Sequence, residues 1–169
     1  MVRKNSSQSK RTPKTGKPFM PGYDMMFKKG RRTPSWNWIA TRFAKSHNYW
    51  IATTRPDGRP HVMPIWGVWV NNTFHFSTGP RSRKGRNLAH NPNCVICTEG
   101  AAEAIIMEGT AKKRPGSRIR SAIKAYEKKY KWKINDKDGP IYTVKPRVVF
   151  GFVESGAFDP VRWIFDEKR

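Results

Sequence analysis

The spacing of hydrophobic and polar positions changes several times along the chain, and each change predicts a different element. An apolar stripe at i, i+3, i+4 and i+7 begins at Trp36 and reaches Phe43. This spacing predicts a helix from residue 36 to about residue 45 with one buried face. Ser35, just before the stripe, is a residue type typical of a helix N-cap.

After Asn48 the pattern becomes extended. Segments rich in β-branched and aromatic residues, bounded by turn residues, predict strands. They cover residues 49–54, 60–70, 73–78, 94–98, 103–111, 141–144, 147–153 and 161–165. Between the first two, the sequence from Arg55 to Arg59 contains Pro-Asp-Gly, which predicts a hairpin turn with Gly58 at positive φ.

Two further helices are predicted, at residues 82–90 and 117–131. The first ends before Asn91-Pro92, and the second carries an apolar stripe opposite its Lys and Arg residues. Short turns join most neighbouring strands, which favours antiparallel pairing over a βαβ arrangement. The pattern therefore predicts a mainly β fold, a small antiparallel barrel with interposed α-helices.

The net charge of +22 is concentrated in two segments. Residues 1–35 hold ten Lys or Arg and one acid, and residues 112–133 hold the same numbers. Residues 1–32 have no hydrophobic period, which predicts a disordered basic tail before a domain at 33–169. Both segments fit either a solvated surface or contact with phosphates, so nucleic-acid association stays open.

Several classes of protein are excluded by composition. No apolar run is long enough to span a bilayer, and the N-terminus has no hydrophobic signal region, so we expect a cytoplasmic protein.

Cys94 and Cys97 lie three apart in a strand and point to opposite faces, which favours a structural role over metal binding. No nucleophile elbow, Rossmann or P-loop motif occurs. His61 is either a strand histidine with internal partners or a ligand contact.

One segment, residues 74–88, groups chemistry that suits an anion. A strand ends in Ser77-Thr78, and a tight loop then delivers Ser82, Arg83 and Lys84 to the first turn of a helix. Hydroxyl, guanidinium, ammonium and helix N-terminal N–H groups together suit a phosphate. Residue chemistry alone leaves open whether this is a phosphate site or only an exposed basic helix start.

Three motifs in this order resemble a known superfamily. They are Ala52-Thr53-Thr54-Arg55-Pro56-Asp57-Gly58-Arg59-Pro60, Pro64-Ile65-Trp66-Gly67-Val68-Trp69 and Ser82-Arg83-Lys84-x-x-Asn87-Leu88-x-x-Asn91-Pro92. Their order and spacing are similar to those of the pyridoxamine 5′-phosphate oxidase-like, FMN-binding split barrels, which include oxidoreductases that use the deazaflavin F-420. The resemblance covers about two thirds of the chain and implies a six-stranded antiparallel split barrel.

The resemblance also implies a set of cofactor-binding residues. Ser82, Arg83 and Lys84 would hold the phosphate, and Ser77 and Thr78 would cap ring or ribityl oxygens. Backbone groups of residues 61–65, in the second predicted strand, would line the edge of the flavin ring. These residues are His61, Val62, Met63, Pro64 and Ile65. Asn87 belongs to the same motif, and Arg162 would reach the site from a partner chain.

The function implied is a flavin- or deazaflavin-dependent oxidoreductase acting on a small molecule, with FMN the first choice of cofactor and F-420 the alternative. The cofactor carries the chemistry, in keeping with the lack of a catalytic side-chain cluster and of any metal-ligand set. Two other classes stay open. One is a non-catalytic flavin-, F-420- or haem-binding protein, and the other is a basic-tailed nucleic-acid-associated protein. The segment by which true pyridoxamine phosphate oxidases recognise substrate is not evident.

Aromatic content predicts a homodimer, as the resemblance also implies. Five tryptophans cannot all face one small core, and aromatic side chains are common at interface centres. They are Trp36, Trp38, Trp50, Trp66 and Trp69. For the tail we expect weak, salt-sensitive contact with nucleic acid or another anionic surface, and no membrane insertion.

Overall fold

The computed structural model describes residues 13–27, 29–134, 139–154 and 158–165, and in these it has nine strands and three α-helices. The strands are β1 (Lys14–Gly16), β2 (Tyr49–Thr54), β3 (Pro60–Ile65), β4 (Val68–Val70), β5 (Thr73–Ser77), β6 (Asn93–Thr98), β7 (Glu103–Lys113), β8 (Ile141–Val153) and β9 (Val161–Ile164). The helices are α1 (Trp36–Lys45), α2 (Arg83–His90) and α3 (Arg120–Tyr130). None of the helices in these ranges is long and apolar enough to cross a membrane.

Antiparallel pairing joins the strands in the order β1-β9-β8-β7-β6-β2-β3, and β5 pairs with both β4 and β8. The long strand β8 serves two neighbours besides β7, because its first half pairs with β5 and its second half with β9. A bulge divides these halves: Glu108 pairs with Val148 but Gly109 pairs with Pro146, so Arg147 is the extra residue. The predicted mainly β, antiparallel split-barrel fold is confirmed.

The strand count differs from the expected six for a clear reason. Six strands have five or more residues, whereas β1, β4 and β9 have three or four. The stretch predicted as one strand at 60–70 is broken at Trp66-Gly67, and the two segments predicted at 141–153 are one strand through the bulge. A bulge accommodates Pro146, which a regular central ladder does not.

Local signals predicted the helices well. The helix α1 has the expected bounds, and the Ser35 hydroxyl accepts a 3.2 Å hydrogen bond from the Trp38 N–H, as an N-cap does. The segment predicted at 117–131 begins as a 3-10 turn and continues as α3. Its apolar stripe packs with Val68 and Ile141 in a second, smaller core.

Register places one continuous row of residues on the inner face of the sheet. It consists of Trp163, Val149, Met107, Ile96, Ile51 and Met63. The first five are almost completely buried, but Met63 on the edge strand β3 is 42% exposed. The barrel core is therefore closed up to β2 and open at Met63 on β3, whereas Ile65 on the same face of β3 is buried in the main core.

A second row lies on the outer face, in direct register across the same strands. It consists of Arg162, Phe150, Ile106, Cys97, Trp50 and Pro64. Cys97 belongs to this row while Cys94 is buried in the main core, so the two cysteines do point to opposite faces. Trp50 is 44% exposed, and Val62 beside it on β3 is 53% exposed.

The expectation for the five tryptophans is corrected for three of them. Trp36, Trp38 and Trp69 are partly buried and pack against the main core of their own chain. Trp36 makes edge contacts with the rings of Trp69, Trp163 and Phe165 at centroid distances of 5.0–6.2 Å. The core is large enough for these rings because α1 closes it, so only Trp50 and Trp66 of the five remain half exposed.

The N-terminal segment departs in part from its predicted disorder. Residues 14–16 form β1 and pair with residues 162–164 of β9, and Pro13 and Pro18 are buried. Composition could not reveal this pairing, because its partner lies about 150 residues away in the chain. Residues 1–12 lie outside the described residues, and the boundary between tail and domain at 32/33 stays a prediction.

Candidate functional site

Ser82 organises the loop that leads into α2. Its hydroxyl accepts a 3.0 Å bond from the Gly85 N–H, donates to the Gly79 carbonyl at 2.8 Å and lies 3.0 Å from the Thr78 hydroxyl. A side chain at Gly85 would meet the Gly79 carbonyl oxygen at 2.4 Å, so this close approach requires glycine. The hydroxyls of Ser82 and Thr78 are thus engaged with the loop itself, and Arg83 and Lys84 carry the free charge of the first turn.

Asn87 fastens α2 to the sheet. Its side-chain amide donates a 3.0 Å hydrogen bond to the Thr53 hydroxyl, which lies 3.4 Å from the His61 carbonyl oxygen. Asn87 is completely buried, and its Oδ1 has no hydrogen-bond partner in the described part of the chain. The bond ties α2 to the end of β2, next to the beginning of β3.

This contact assembles four basic side chains from three elements. Arg55 follows β2, His61 lies on β3, and Arg83 and Lys84 begin α2. Burial lowers the pKa of His61, and the charges of Arg55, Lys84 and Arg83, in that order, lower it further. The charges of Arg55, Lys84 and Arg83 therefore lie close enough to His61 to act on its ring.

Among the described residues, no carboxylate forms an ion pair with this basic cluster. The nearest acid in sequence, Asp57, is bound by Arg59 at 2.7 Å in the hairpin turn, and that bond lowers the Asp57 pKa to about 2. Within the cluster, the Arg55 Nε and the His61 Nδ1 are buried without a hydrogen-bond partner. Buried polar atoms without partners are uncommon in proteins, and here the Arg55 Nε–H leaves a donor for an acceptor such as a phosphate oxygen.

Arg55 is the member of the basic cluster that sequence reasoning did not single out. Its place in the Arg-Pro-Asp-Gly-Arg turn was explained by turn formation alone, although its backbone N–H does close the hairpin on Arg59. The signal in the sequence was a second basic residue at a turn that already had Arg59 to pair with Asp57. Only the packing of α2 on β2 shows which arginine faces the cluster.

Strand β3 leads away from the basic cluster. In the sheet order it is the terminal strand, so its outer edge has no strand partner among the described residues. His61, Met63 and Ile65 share the face of Thr53, Ile51 and Tyr49, and Val62 and Pro64 share the opposite face. At about 3.3 Å per residue, the strand carries backbone N–H and C=O groups over roughly 16 Å from His61 to Trp66.

The break after β3 is held by α3, which the sequence analysis did not connect to the site. The Tyr130 hydroxyl lies 2.9 Å from the Gly67 N–H and 2.8 Å from the Gly67 carbonyl, and the Lys129 ammonium donates to that carbonyl at 3.0 Å. The Tyr130 ring stacks on Trp66 with a centroid distance of 4.8 Å and an angle of 6°. Burial lowers the pKa of Lys129 to about 8 and raises that of Tyr130 to about 12.

Gly67 is required at this break. A side chain there would lie 2.1 Å from the Phe74 ring, inside the main core. The chain therefore leaves β3 at Ile65, and the 46% exposed Trp66 ring is fixed against Tyr130 at the end of the strand.

Two of the expected site residues, Ser77 and Arg162, lie away from the basic cluster or form other contacts. The Ser77 hydroxyl donates to the Pro140 carbonyl at 3.3 Å, on the β8 side of β5. Arg162 lies on β9, with four strands between it and β3 in the sheet order. Its guanidinium lies against Gly16 and its Nε is buried without a partner, so one chain by itself does not bring Arg162 to the cluster.

Comparison with known proteins shows the family of the chain. A family model described as pyridoxamine 5′-phosphate oxidase matches residues 38–154. A pyridoxine/pyridoxamine 5′-phosphate oxidase from Acidothermus cellulolyticus is 43% identical over 47 residues, which are 28% of this chain and only 21% of that enzyme.

Two solved structures show the same fold at low identity. A conserved hypothetical protein from Mycobacterium tuberculosis is 17% identical with a TM-score of 0.64, covering 77% of this chain and 91% of the other. A protein named F-420 reductase is 18% identical with a TM-score of 0.54, covering 73% and 98%. Because the family model covers more than half of the sequence, the chain belongs to the pyridoxamine 5′-phosphate oxidase family.

Proposed function

We propose that this protein is an oxidoreductase that binds a phosphate-bearing flavin or deazaflavin, with FMN the first choice. The observation that carries the proposal is the cluster of Arg55, His61, Arg83 and Lys84, which has no carboxylate partner among the described residues and contains two buried, unpartnered nitrogens. Guanidinium and ammonium groups at a helix N-terminus favour a doubly charged phosphate.

The proposed site fits the rest of the cofactor along β3. The phosphate would lie at the His61 end and the ring toward Met63, Pro64 and Ile65, where the strand edge offers backbone donors and acceptors. Met63, whose inner-face neighbours are buried, is half exposed there and offers an apolar contact for a ring. Thr78 and Ser82 would act by shaping the loop, since their hydroxyls bind each other.

When bound, such a cofactor supplies hydride or electron transfer, which no side chain of this chain could supply. The protein's own contribution is position and electrostatics. Asn87 and Thr53 hold α2 against the strands, and the basic cluster would bind the phosphate. Trp66, stacked on Tyr130, would lie at the far end of the cofactor along β3. F-420 also carries a phosphate on a ribityl-like arm, so the same cluster suits it.

We further propose that the active form is a homodimer joined through the outer face of the sheet. Trp50, Val62 and Pro64 are exposed there, in a row continuous with Phe150 and Arg162. An exposed apolar row of this length is typical of an interface. Arg162, in register with Phe150, would then approach the cofactor of the partner chain, consistent with its location far from its own basic cluster.

Parallel titration of the purified chain with FMN and F-420 tests the proposal. We expect saturable binding of at least one of them, followed by reduction of the bound cofactor by NAD(P)H or, in an FMN complex, by reduced F-420. Binding without reduction by any of these donors would support the non-catalytic alternative. Failure to bind either cofactor would contradict the proposal.

A further inference from the structure

Helix α3 has one buried and one strongly basic face. Ala122 and Tyr126 are buried in the smaller core, whereas Arg120, Lys124 and Lys128 are exposed. These three lie at i, i+4 and i+8, in one row that spans about 12 Å. The row continues into exposed Lys131 and Lys133, and we call these five residues the α3 ridge.

The charge of the α3 ridge is not compensated within the described residues. The ion pairs seen in the described part of the chain join Arg42 with Glu103, Arg59 with Asp57 and Arg147 with Glu108. All of them lie outside α3. Glu127 is the single acid of the helix. Like charges four residues apart on a helix repel each other and destabilise it. The row of Arg120, Lys124 and Lys128 therefore does not stabilise α3.

An exposed tryptophan lies at the end of the α3 ridge. Trp132 is 60% exposed, between Lys131 and Lys133. The chain reaches it through Lys131, which caps the helix in the left-handed conformation at φ 54°, where glycine is the usual residue. No ring contact is formed by Trp132 within the described ranges, in contrast to Trp66, which stacks on Tyr130.

A row of cations that ends in an open aromatic face suits single-stranded nucleic acid. Cations track a phosphate backbone, and an unpaired base stacks on the indole ring. Duplex bases are already stacked and offer Trp132 nothing comparable. A membrane surface is a poorer fit, because the apolar side chains of α3 face the core and leave only one ring to enter lipid.

We propose that the α3 ridge and Trp132 form a binding surface for single-stranded nucleic acid, separate from the basic cluster at α2. Binding is independent of base sequence, since phosphate contact and stacking do not distinguish one base from another. The residues of the α3 ridge and Trp132 are not members of the proposed cofactor site, so the two activities can be tested apart.

The test is fluorescence anisotropy of a labelled single-stranded oligonucleotide across a salt series, using the full chain. In Lys124→Gln/Lys128→Gln we expect the slope of log affinity against log salt to fall by about 1.4, because each phosphate contact contributes about 0.7 on single strands. The matched control, Lys45→Gln/Lys145→Gln, removes two exposed lysines outside both basic segments and should leave the slope unchanged.

Trp132→Ala should weaken binding at least about fivefold without changing the slope, and Trp132→Phe should restore most of the loss. Phe19→Ala, which removes an aromatic ring that is 87% exposed, is the control. Circular dichroism checks that each variant is folded.

Three results would overturn the proposal. Equal loss in both lysine pairs would mean that binding follows total charge. Duplex binding as tight as single-strand binding, and unaffected by Trp132→Ala, would exclude stacking. Absence of oligonucleotide binding, with binding to phosphatidylserine vesicles instead, would identify a lipid surface.

Discussion

The side-chain amide of Asn87 on α2 donates a buried 3.0 Å hydrogen bond to the hydroxyl of Thr53 on β2. The two residues are 34 positions apart in the chain. This bond is the polar connection that seats α2 on the sheet and brings Arg83 and Lys84 to Arg55 and His61. We expect Asn87→Ala to lower the free energy of unfolding by about 1–3 kcal/mol, because the Thr53 hydroxyl loses its donor in a buried site.

Urea denaturation of Asn87→Ala, Thr53→Val and the double variant measures this contribution. The two losses should be clearly non-additive, since each substitution removes the same contact. Additive losses would show that the two side chains stabilise the protein independently.

Lys129 predicts a pH dependence of stability. Burial lowers its pKa in the folded chain to about 8, below the ordinary lysine value of 10.5. Between these values the unfolded chain binds more protons at this site, so the contribution of Lys129 to stability rises with pH from about 8 toward 10. Below pH 8 both states are protonated there, and the contribution is flat.

The measurement compares the unfolding free energy of the wild type with that of Lys129→Met across this range. The difference, wild type minus variant, should increase from pH 8 to pH 10. Lys128→Met, at an exposed position of the same helix, is the control and should show no such trend. If the wild-type minus Lys129→Met difference in unfolding free energy stays flat or falls with pH, the lowered pKa of Lys129 is contradicted.

The outer row of the sheet predicts a dimer that one charge can disrupt. Trp50→Glu places a carboxylate among Cys97, Pro64 and Val62, and should convert the protein to a monomer at micromolar concentration. Light scattering gives the mass directly. Phe19→Glu alters an equally apolar exposed residue away from the row and should leave the dimer intact, whereas a monomeric wild type would refute the interface.

Strand β1 predicts a stabilising role for part of the basic N-terminal segment. Thr15→Pro removes a backbone donor opposite Trp163 and prevents regular pairing with β9. We expect a lower thermal midpoint with cofactor binding retained. Deletion of residues 1–12 alone should leave the thermal midpoint nearly unchanged. A large fall of the midpoint in that variant would contradict the view that only β1 stabilises the fold.

Much of the fold was predictable because its signals are local. The Ser35 and Ser82 caps, the apolar stripe of α1 and the Gly58 turn each depend on residues within one turn of one another. The motif around Arg83 and Lys84 was recognisable for the same reason.

Other features depend on distant partners and could not be predicted in this way. Gly67 breaks a strand because Tyr130 and Phe74 meet it, and β1 exists because β9 offers a free edge. Arg55 joins the basic cluster only because Asn87 draws α2 onto Thr53. These contacts pair residues between 7 and about 150 positions apart, and no periodic pattern records them.

The central claim, that the basic cluster binds the phosphate of a flavin, is tested most directly by comparing FMN with riboflavin, which has the same ring and ribityl chain but no phosphate. Wild type should bind FMN at least about 100-fold more tightly, the equivalent of about 3 kcal/mol from charge-assisted bonds. Arg55→Ala/Lys84→Ala should lose most of this preference while its riboflavin affinity stays the same, and Arg59→Ala, whose guanidinium binds Asp57 instead, should keep it. Equal affinity of the wild type for FMN and riboflavin, or an undiminished preference in the double variant, would contradict the account.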